Sequence, residues 1–258
     1  MNKKGSYFHK HLEQTGEQLS ARPAFVPTKI SDEKRAEFEE GKVILLDKPL
    51  HWTSFDAVRK IRSAIRIKKV GHAGTLDPLA TGLLIICTGK FTKKINEFMA
   101  QSKAYTGTIT LGAVTPTYDL ESLPEQQKDF SAITADQVIE TANTFLGDIE
   151  QLPPIYSAIK KKGTPLYELA RRGEEVELKP RKINIQTFEI TSVELPVVGF
   201  RIVCSTGTYI RSIANDMGKQ LGCGGYLSSL RRTAIGSFRV EDAVSMEDFL
   251  GQLNSDSL

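Results

Sequence analysis

The sequence predicts an α+β fold built as one main domain. Segments with the patterns of strands and of helices follow one another without the strict β-α-β repeat of a doubly wound protein. The chain has 258 residues, 40% of them hydrophobic, which is enough to bury a substantial core. It contains no internal repeat and no low-complexity tract. These three observations favour an α+β sheet protein over a doubly wound one.

The composition argues against several classes of protein. No apolar run approaches the roughly 20 residues that span a bilayer, and the charged start of the chain lacks the apolar stretch of a secretory signal. The three cysteines, Cys87, Cys204 and Cys223, form no CxxC pair, which argues against a zinc knuckle or a disulfide framework. We therefore expect a cytoplasmic protein without a membrane segment.

The first ordered element is expected only after residue 40. Residues 1–40 hold seven basic and seven acidic residues with little periodicity, and prolines interrupt the stretch ARPAFVPTK. This pattern predicts a mobile N-terminal extension. The first strand is predicted at Val43–Leu46, an apolar run that ends at Asp47, Lys48 and Pro49.

A helix is predicted directly after this strand. Thr53 and Asp56 have the three-residue spacing of a capping box. Apolar residues then recur at helical spacing, with arginines on the other side of the helix. The predicted apolar stripe consists of Phe55, Val58, Ile61 and Ile65.

A glycine-rich loop, GHAGTLDPLATGLL at residues 71–84, comes next, and Asp77 is its only carboxylate. The apolar run GLLIICTG at residues 82–89 predicts a strand in the interior of a sheet, although a buried helical turn shares this pattern. Residues 103–114, KAYTGTITLGAV, alternate and are rich in β-branched side chains, so Tyr105 is expected on a strand.

The rest of the chain continues this mixture of elements. Strands are predicted at residues 182–191 and 199–210. Helical patterns cover Thr134–Phe145, with Thr134 and Gln137 as a capping pair, and residues 164–173, 210–222 and 245–253.

The charges of the chain are segregated. Residues 59–69 carry six basic residues and no acid, whereas residues 119–150 carry eight acids and the single basic residue Lys128. Such separation predicts one face that can follow a polyanion such as nucleic acid. The alternative, an ordinary solvated helix face, fits the same pattern.

The motifs of several enzyme classes are missing around Asp77. Gly89-Lys90 lacks the earlier glycine and the following Ser or Thr of a P-loop, and no HExxH or Cys/His cluster adds metal ligands to His72 and Asp77. There is no GxSxG elbow and no second carboxylate nearby in sequence for a glycosidase pair. We therefore expect neither a metal site nor a bound cofactor.

A single loop carboxylate can act as a nucleophile or as a base. In a partly dry pocket it needs a cationic neighbour, because an unpaired buried charge is costly. Arg211, at the start of a predicted helix, is the best remote candidate for this neighbour. The alternative is that Asp77 only forms an Asx-type turn before Pro78. The residues by themselves leave both interpretations open.

The loop GHAGTLDPLATGLL resembles the signature loop of the TruB-type tRNA pseudouridine synthases. The likeness extends, in the order of that family, through LDKPLHWTSFDAVRKIR, KAYTGTITLG, QLPPIYSAIKKKG, STGTYIRSIANDMG and LSSLRRTAIGSF. It covers roughly residues 40 to 240, and six motifs in one order are far more specific than one. The resemblance implies a pseudouridine-synthase fold, with a mixed, mostly antiparallel central sheet flanked by helices.

The resemblance also implies the activity and its residues. The family isomerises the T-loop uridine at position 55 of tRNA to pseudouridine, without a cofactor. Asp77 matches the catalytic aspartate, Tyr105 the tyrosine that lies against the base, and Arg211 the arginine that pairs with the carboxylate. The substrate-binding residues implied by the same motifs are His72, Lys103, Tyr209 and Leu230.

The expected partner is therefore tRNA, bound by a monomer without a protein partner. Basic residues expected to follow the RNA backbone are Arg59, Arg62, Lys68, Lys69, Lys160, Arg231 and Arg232, with Lys60, Arg66, Lys161 and Lys162 beside them.

We expect a catalytic domain at residues 41–240 and a short helical tail at residues 241–258, without the C-terminal PUA domain of many bacterial members. Two alternative functions remain open. One is an RNA chaperone that binds tRNA through the same residues and opens and refolds it, and the other is an enzyme that modifies a different RNA with the shape of a T loop.

Overall fold

The computed structural model describes residues 30–157, 160–161, 163–174 and 178–255. Within these residues, nine strands form one mixed sheet and two short strands form a separate hairpin. The strands are β1 (Val43–Lys48), β2 (Val70–His72), β3 (Ala80–Thr88), β4 (Lys103–Leu111), β5 (Gly147–Gln151), β6 (Lys160–Lys161), β7 (Thr164–Pro165), β8 (Arg181–Glu194), β9 (Val197–Cys204), β10 (Gly225–Ile235) and β11 (Phe238–Arg239). The helices are α1 (Asp32–Glu40), α2 (Ser54–Ile65), α3 (Ile95–Ala100), α4 (Ala135–Asn143), α5 (Leu166–Arg171), α6 (Ile210–Gln220) and α7 (Met246–Ser255). The expected α+β class is confirmed.

The sheet has the order β1-β3-β10-β4-β9-β8-β5, with β2 paired to β3 and β11 paired to β10. Only β3 and β10 run parallel in this sheet, and the other pairs are antiparallel. The parallel register pairs Ala80 with Leu230, so the loop that precedes β3 opens beside the middle of β10. This pairing brings the Asp77 loop to the centre of the sheet.

Helices bury the sheet in two main clusters. Helix α4 packs on β8 and helix α6 packs on β10, and Val138, Ala142 and Met217 are almost fully buried there. Helices α1, α2 and α7 pack on β1 and β3, where Leu84 and Ile86 contribute. No helix among the described residues is both long enough and apolar enough to cross a membrane.

The two predicted capping boxes are present. Thr53 and Asp56 form one at the start of α2, and Thr134 and Gln137 form the other at the start of α4. The predicted stripe of α2 holds for Val58, Ile61 and Ile65, which are buried, but Phe55 is 61% exposed. Ser54 and Ala57 are buried instead, so the buried face of α2 is rotated away from Phe55, and the stripe prediction is wrong for this residue.

The structure also differs from the expected mobile extension. Ser31 caps α1, and Phe38 of this helix is buried against Phe249 of α7, with ring centroids 6.4 Å apart. Residues 32–40 are therefore a packed helix, because one large aromatic side chain anchors an otherwise charged segment. The remaining part of the predicted extension, residues 1–29, lies outside the described residues.

Candidate active site

The loop that carries Asp77 is fixed to helix α2. The Leu76 N–H donates to Ser54 Oγ at 2.8 Å, and Ser54 Oγ in turn donates to the Leu76 carbonyl at 3.2 Å. On the other side, the Ala80 N–H donates to the Asp77 carbonyl at 3.0 Å, which closes a tight turn through Pro78. Asp77 thus projects from a loop whose backbone is held on both sides.

Arg211 pairs with Asp77 across 134 residues of sequence. Its Nε lies 2.9 Å from Oδ2 of Asp77, and its Nη2 donates to Oδ1 at 3.4 Å. Only 6% of the Arg211 side chain is exposed, against 37% for Asp77. The guanidinium also donates to the carbonyls of Thr117 and Tyr156, which fix its plane. The predicted pairing is present, and Asp77 is the more exposed member of the pair.

A second carboxylate, Asp119, which is buried, completes this charge cluster. Its Oδ2 lies 3.5 Å from Arg211 Nε, and its Oδ1 accepts the Glu121 N–H at 3.0 Å. Burial raises the pKa of Asp119, and the Arg211 guanidinium opposes that rise. Sequence reasoning missed Asp119, because nothing local distinguishes it from the other acids of residues 119–150. Its distinguishing signal is three-dimensional, since it shares one arginine with Asp77.

Asp77 and Asp119 line a narrow cleft against strand β10. The other lining residues are Leu79, Ala80, Leu227, Ser228, Ser229 and Leu230. The cavity volume is about 20 Å³, which is room for about one water molecule. A pyrimidine can therefore enter only if the cleft widens, and the partly buried Leu230 is the apolar side chain on its β10 wall.

Tyr105 lies on β4, directly opposite Arg232 of β10. It is only 8% exposed and belongs to the same apolar cluster as Leu76 and Ala80. Burial raises the pKa of Tyr105, and a hydrogen bond with the Arg232 side chain acts in the opposite direction. The phenol is consequently a protonated group at neutral pH.

Tyr209 lies near the Asp77–Arg211 pair, whereas His72 lies near Arg232. Tyr209 is the N-cap residue of α6, and its backbone N–H and carbonyl are both bonded to the Gln151 amide, at 2.8 and 3.0 Å. Burial raises the pKa of Tyr209. His72 ends β2, and burial, assisted by the charge of Arg232, lowers the pKa of its imidazole. His72 is therefore neutral at pH 7.

Lys103 does not point into the cleft. It is 6% exposed, and its Nζ donates to the carbonyl of Met99 and, at 2.6 Å, to that of Gln101. These carbonyls lie at the end of α3, where a cation satisfies acceptors that have no helical partner. The expected substrate contact of Lys103 is therefore replaced by a structural role.

Arg232 is likewise a structural residue and not a phosphate ligand. It is 1% exposed and donates to the carbonyls of Leu83, Thr75 and Gly74, at 2.8, 3.4 and 3.1 Å. Two of these carbonyls belong to the loop that precedes Asp77. The LRR triplet predicted surface arginines, but strand alternation turns this one inward.

The remaining basic residues differ in how they are engaged. Arg231 forms a bidentate pair with Asp47, at 2.6 and 3.0 Å, and Arg59 pairs with Asp56 at 2.9 Å. Arg62 donates to the Val70 carbonyl at 3.0 Å. By contrast, Lys68 and Lys69 are exposed, and in the described part of the chain neither forms an ion pair. Lys160 lies on β6, and Lys162 lies outside the described residues.

Lys48 is a fully buried lysine near Asp77. Its Nζ donates to the carbonyls of Pro49 and Trp52, at 2.9 and 2.7 Å. Burial lowers the pKa of Lys48 to about 8, although the Asp77 carboxylate acts in the opposite direction. The pKa of lysine in the unfolded state is about 10.4. At pH values between about 8 and about 10.4, the Lys48 amine is therefore protonated in the unfolded state and neutral in the folded state.

Because of this difference, Lys48 should make stability increase as the pH rises through 8. Below pH 8 the group is charged in both states and contributes no slope, whereas above it the free energy of unfolding gains up to about 1.4 kcal/mol per pH unit. Between pH 7.5 and 9.5 we expect the wild type to gain about 2 kcal/mol relative to Lys48→Met. Urea titrations of both proteins across this range measure the difference. Parallel stability curves would show that the buried amine does not titrate in this window.

Comparisons of the sequence with protein families and with known proteins identify the family of this chain. The N-terminal domain model of the TruB family pseudouridylate synthases matches residues 62–210, more than half of the chain. The C-terminal domain model of tRNA pseudouridylate synthase B matches residues 211–257.

Two curated relatives carry the name tRNA pseudouridine synthase B. The protein of Flavobacterium johnsoniae is 53% identical over 220 residues, which are 83% of this chain and 96% of that protein. The protein of Phocaeicola vulgatus is 50% identical over 218 residues, or 82% and 93% of the two chains.

Solved structures show the same fold. A chain of a Cbf5-Nop10-Gar1 complex is 28% identical with a TM-score of 0.66, and the match covers 89% of this chain and 61% of that one. An H/ACA RNP bound to a substrate RNA containing 2'-deoxyuridine gives 26% identity, a TM-score of 0.65, and coverage of 91% and 60%. This chain therefore spans about three fifths of those longer proteins. The matched domain models and the curated relatives together show that the chain belongs to the TruB family of pseudouridine synthases.

Proposed function

We propose that this chain isomerises the T-loop uridine at position 55 of tRNA to pseudouridine, acting as a cytoplasmic monomer without a protein partner. The observation that carries the proposal is the pairing of Asp77 with Arg211 at the mouth of a cleft. The relatives named tRNA pseudouridine synthase B supply the substrate class and the isomerase activity. Asp77 is the attacking carboxylate in this proposal.

The reaction rearranges atoms that the substrate already contains. The N1–C1′ bond breaks, the uracil turns, a C5–C1′ bond forms, and the C5 proton is lost while N1 gains one. The carboxylate can begin this sequence by adding to the ribose C1′ or to the base, and in either route it starts from its ion pair with Arg211. No oxidation or reduction is involved, so the isomerisation balances without a co-reactant.

The target uridine has to leave the RNA stack to reach Asp77. Extrusion of a nucleotide costs a few kcal/mol, and stacking on an aromatic side chain returns about 1–3 kcal/mol per base. Tyr105 supplies the aromatic face and Leu230 the opposite apolar wall, once the cleft widens to admit the ring. In this proposal His72, at the end of β2, and Tyr209, the N-cap residue of α6, contact the extruded nucleotide and its neighbours.

A direct assay tests this proposal against its rivals. Uridine conversion is measured in tRNA, in an isolated T-stem minihelix and in an unstructured RNA that carries the loop sequence without a complementary stem. We expect conversion of the tRNA and the minihelix at the T-loop uridine, and little conversion of the unstructured RNA, because the site requires a preformed loop. A protein that binds T-loop RNA but forms no pseudouridine would contradict the enzyme proposal. Conversion of other RNAs in preference to tRNA would contradict the assigned substrate.

Binding to tRNA should weaken strongly as salt rises. Each neutralised phosphate releases counterions, so the logarithm of the binding constant falls linearly with the logarithm of salt concentration. Contacts to two or three phosphates predict a loss of at least about tenfold in affinity between 50 and 200 mM salt. Filter binding or fluorescence anisotropy over this range measures the slope. A flat response would argue against a backbone-following interface.

A further inference from the structure

A buried amide side chain binds the start of the helix that carries Arg211. Gln151 is the last residue of β5, is almost fully buried, and is bonded to Tyr209, 58 residues further along the chain. Its Oε1 accepts the Tyr209 N–H at 2.8 Å, and its Nε2 donates to the Tyr209 carbonyl at 3.0 Å. The amide of Gln151 thus uses one acceptor and one donor on the backbone of a single residue.

This contact replaces a cap that the helix does not provide itself. The residues favoured at a helix N-cap carry an oxygen on a short side chain, and tyrosine is not among them. Within the described residues, the Tyr209 side chain makes no capping hydrogen bond at the start of α6. In a capping box the third helical residue accepts the N-cap N–H, and here Gln151 accepts it from another element. The Tyr209 carbonyl also accepts the Ile213 N–H at 3.2 Å, which is the first bond of the helix.

The first turn of α6 is bound to residues 151–156 at two further points. Ser212 Oγ donates to the Leu152 carbonyl at 3.0 Å, and Nη2 of Arg211 donates to the Tyr156 carbonyl at 3.1 Å. Ser212 and Arg211 are both buried, so a polar group that lost its partner here would be costly to leave unsatisfied. Residues 151–156 therefore fix both the backbone of the turn and the plane of the guanidinium.

The position of the Arg211 guanidinium depends on this turn, because the group lies at the end of a long side chain. A small rotation of the turn would move Nε out of its 2.9 Å contact with Asp77 Oδ2. A misplacement of about 1 Å in an active site can lower a rate by about 10²-fold. We propose that Gln151 is a positioning residue for the reaction, which holds the first turn of α6 so that Arg211 meets Asp77. This inference rests on the proposed isomerase function.

Gln151 acts through Arg211 in this proposal and does not contact the RNA. In the part of the chain that the structure describes, Gln151 does not line the cleft. The loss of its amide should therefore slow the chemical step and leave tRNA binding unchanged. Tyr209 is itself an expected substrate contact, so an effect of Gln151 through the Tyr209 phenol would instead raise KM and the dissociation constant.

The test is the variant Gln151→Met, which keeps the length of the side chain and removes both hydrogen bonds. The matched control is Thr88→Val. Thr88 is fully buried, and its Oγ1 accepts the Lys42 N–H at 2.9 Å and donates to the Phe38 carbonyl at 2.8 Å. The control therefore loses the same two kinds of bond, at the last residue of β3, whereas Asp77 precedes the first. The single-turnover rate, kcat, KM and the dissociation constant are measured with whole tRNA.

We expect Gln151→Met to lower kcat and the single-turnover rate by about 10- to 100-fold, with KM and the dissociation constant within about twofold of the wild type. Thr88→Val should keep kcat within about twofold. In an Arg211→Met background, Gln151→Met should lower the rate by less than about twofold, because the group that it positions is gone. Equal losses in Gln151→Met and the control, a loss confined to KM, or independent losses in the double variant would overturn the proposal.

A nuclear magnetic resonance measurement follows the same side chain without the need for activity. The Arg211 Nε–H signal is assigned by its absence in Arg211→Met. Its exchange with water should be at least about tenfold faster in Gln151→Met than in the wild type or in Thr88→Val, because the first turn of α6 opens more often. An unchanged exchange rate in folded Gln151→Met would overturn the proposal.

Should Gln151→Met fail to fold, Ser212→Ala takes its place, since it removes a neighbouring bond of the same turn. We expect it to lower kcat by about 3- to 10-fold and to accelerate the exchange of the Arg211 Nε–H. If neither value changed in that variant, the proposal would be wrong. If the wild type formed no pseudouridine, the proposed function would fail, and the exchange rates would still decide whether Gln151 positions Arg211.

Discussion

Asp77→Asn is expected to abolish pseudouridine formation while tRNA binding stays close to the wild-type value. The amide keeps the size of the side chain and can still accept a hydrogen bond from Arg211, but it is neither a nucleophile nor a base. We expect kcat to fall by on the order of 10⁴-fold or more, as for other residues that take part directly in bond formation. Single-turnover conversion of tRNA measures the chemical step without interference from product release.

The matched control is Asp216→Asn. Asp216 lies on the same helix as Arg211, is partly exposed, and pairs with Lys219 at 3.5 Å. The same chemical change there should leave kcat within a factor of about two, because a surface ion pair contributes little. Retained activity in Asp77→Asn would refute the assignment of Asp77. Loss of both activity and tRNA binding would instead indicate that the loop had lost its shape.

Arg232→Met should be the most destabilising substitution near the site. The guanidinium is buried and satisfies three backbone carbonyls, two of which lie in the loop before Asp77. A buried acceptor left without a donor costs about 1–3 kcal/mol. Some of this cost is offset because the variant no longer buries a charge. We therefore expect a loss of about 3–5 kcal/mol in the free energy of unfolding, measured by urea denaturation.

Activity should also fall in Arg232→Met under conditions in which circular dichroism shows it folded. The reason is that the Gly74 and Thr75 carbonyls would no longer be tied to β10, so the Asp77 turn would move. Arg201→Met is the control, since Arg201 lies on the neighbouring sheet surface, is half exposed and pairs with Glu189 at 3.7 Å. Its stability should stay within about 0.5 kcal/mol of the wild type. If Arg232→Met were as stable as this control, the structural role given to Arg232 would be wrong.

Much of the secondary structure could be predicted because its signals are local. The capping pairs Thr53 with Asp56 and Thr134 with Gln137 set two helix starts, and both are present. Alternation and β-branched residues predicted β4, and the apolar run predicted β3. The segment LSSLRRTAIGSF gave no strand prediction, yet it supplies most of β10, an interior strand of the sheet. Its serines and arginines hide the strand pattern: Ser228 and Ser229 line the cleft, and Arg232 is buried.

The site was predicted in part for the same reason. Asp77 was identified as the only carboxylate of a glycine-rich loop. Arg211 was identified because a carboxylate in a partly dry pocket needs a cationic neighbour, and the structure pairs the two side chains. Asp119 had no local signal, and Lys103 and Arg232 had misleading ones, since a basic residue in a family motif suggests a ligand contact. In the structure both side chains are buried and donate hydrogen bonds to backbone carbonyls instead.

The sequence by itself determined the α+β class, the order of most elements, the family resemblance and the loop that holds the central acid. These properties depend on periodicity, on capping and on motifs within short stretches of chain. Only the tertiary structure decided which charges meet: it placed Arg211 between Asp77 and Asp119, and it buried Arg232 and Lys103. The physical reason is that the state of a charge depends on its distance to other charges and on its burial, and both are set by contacts between residues far apart in sequence.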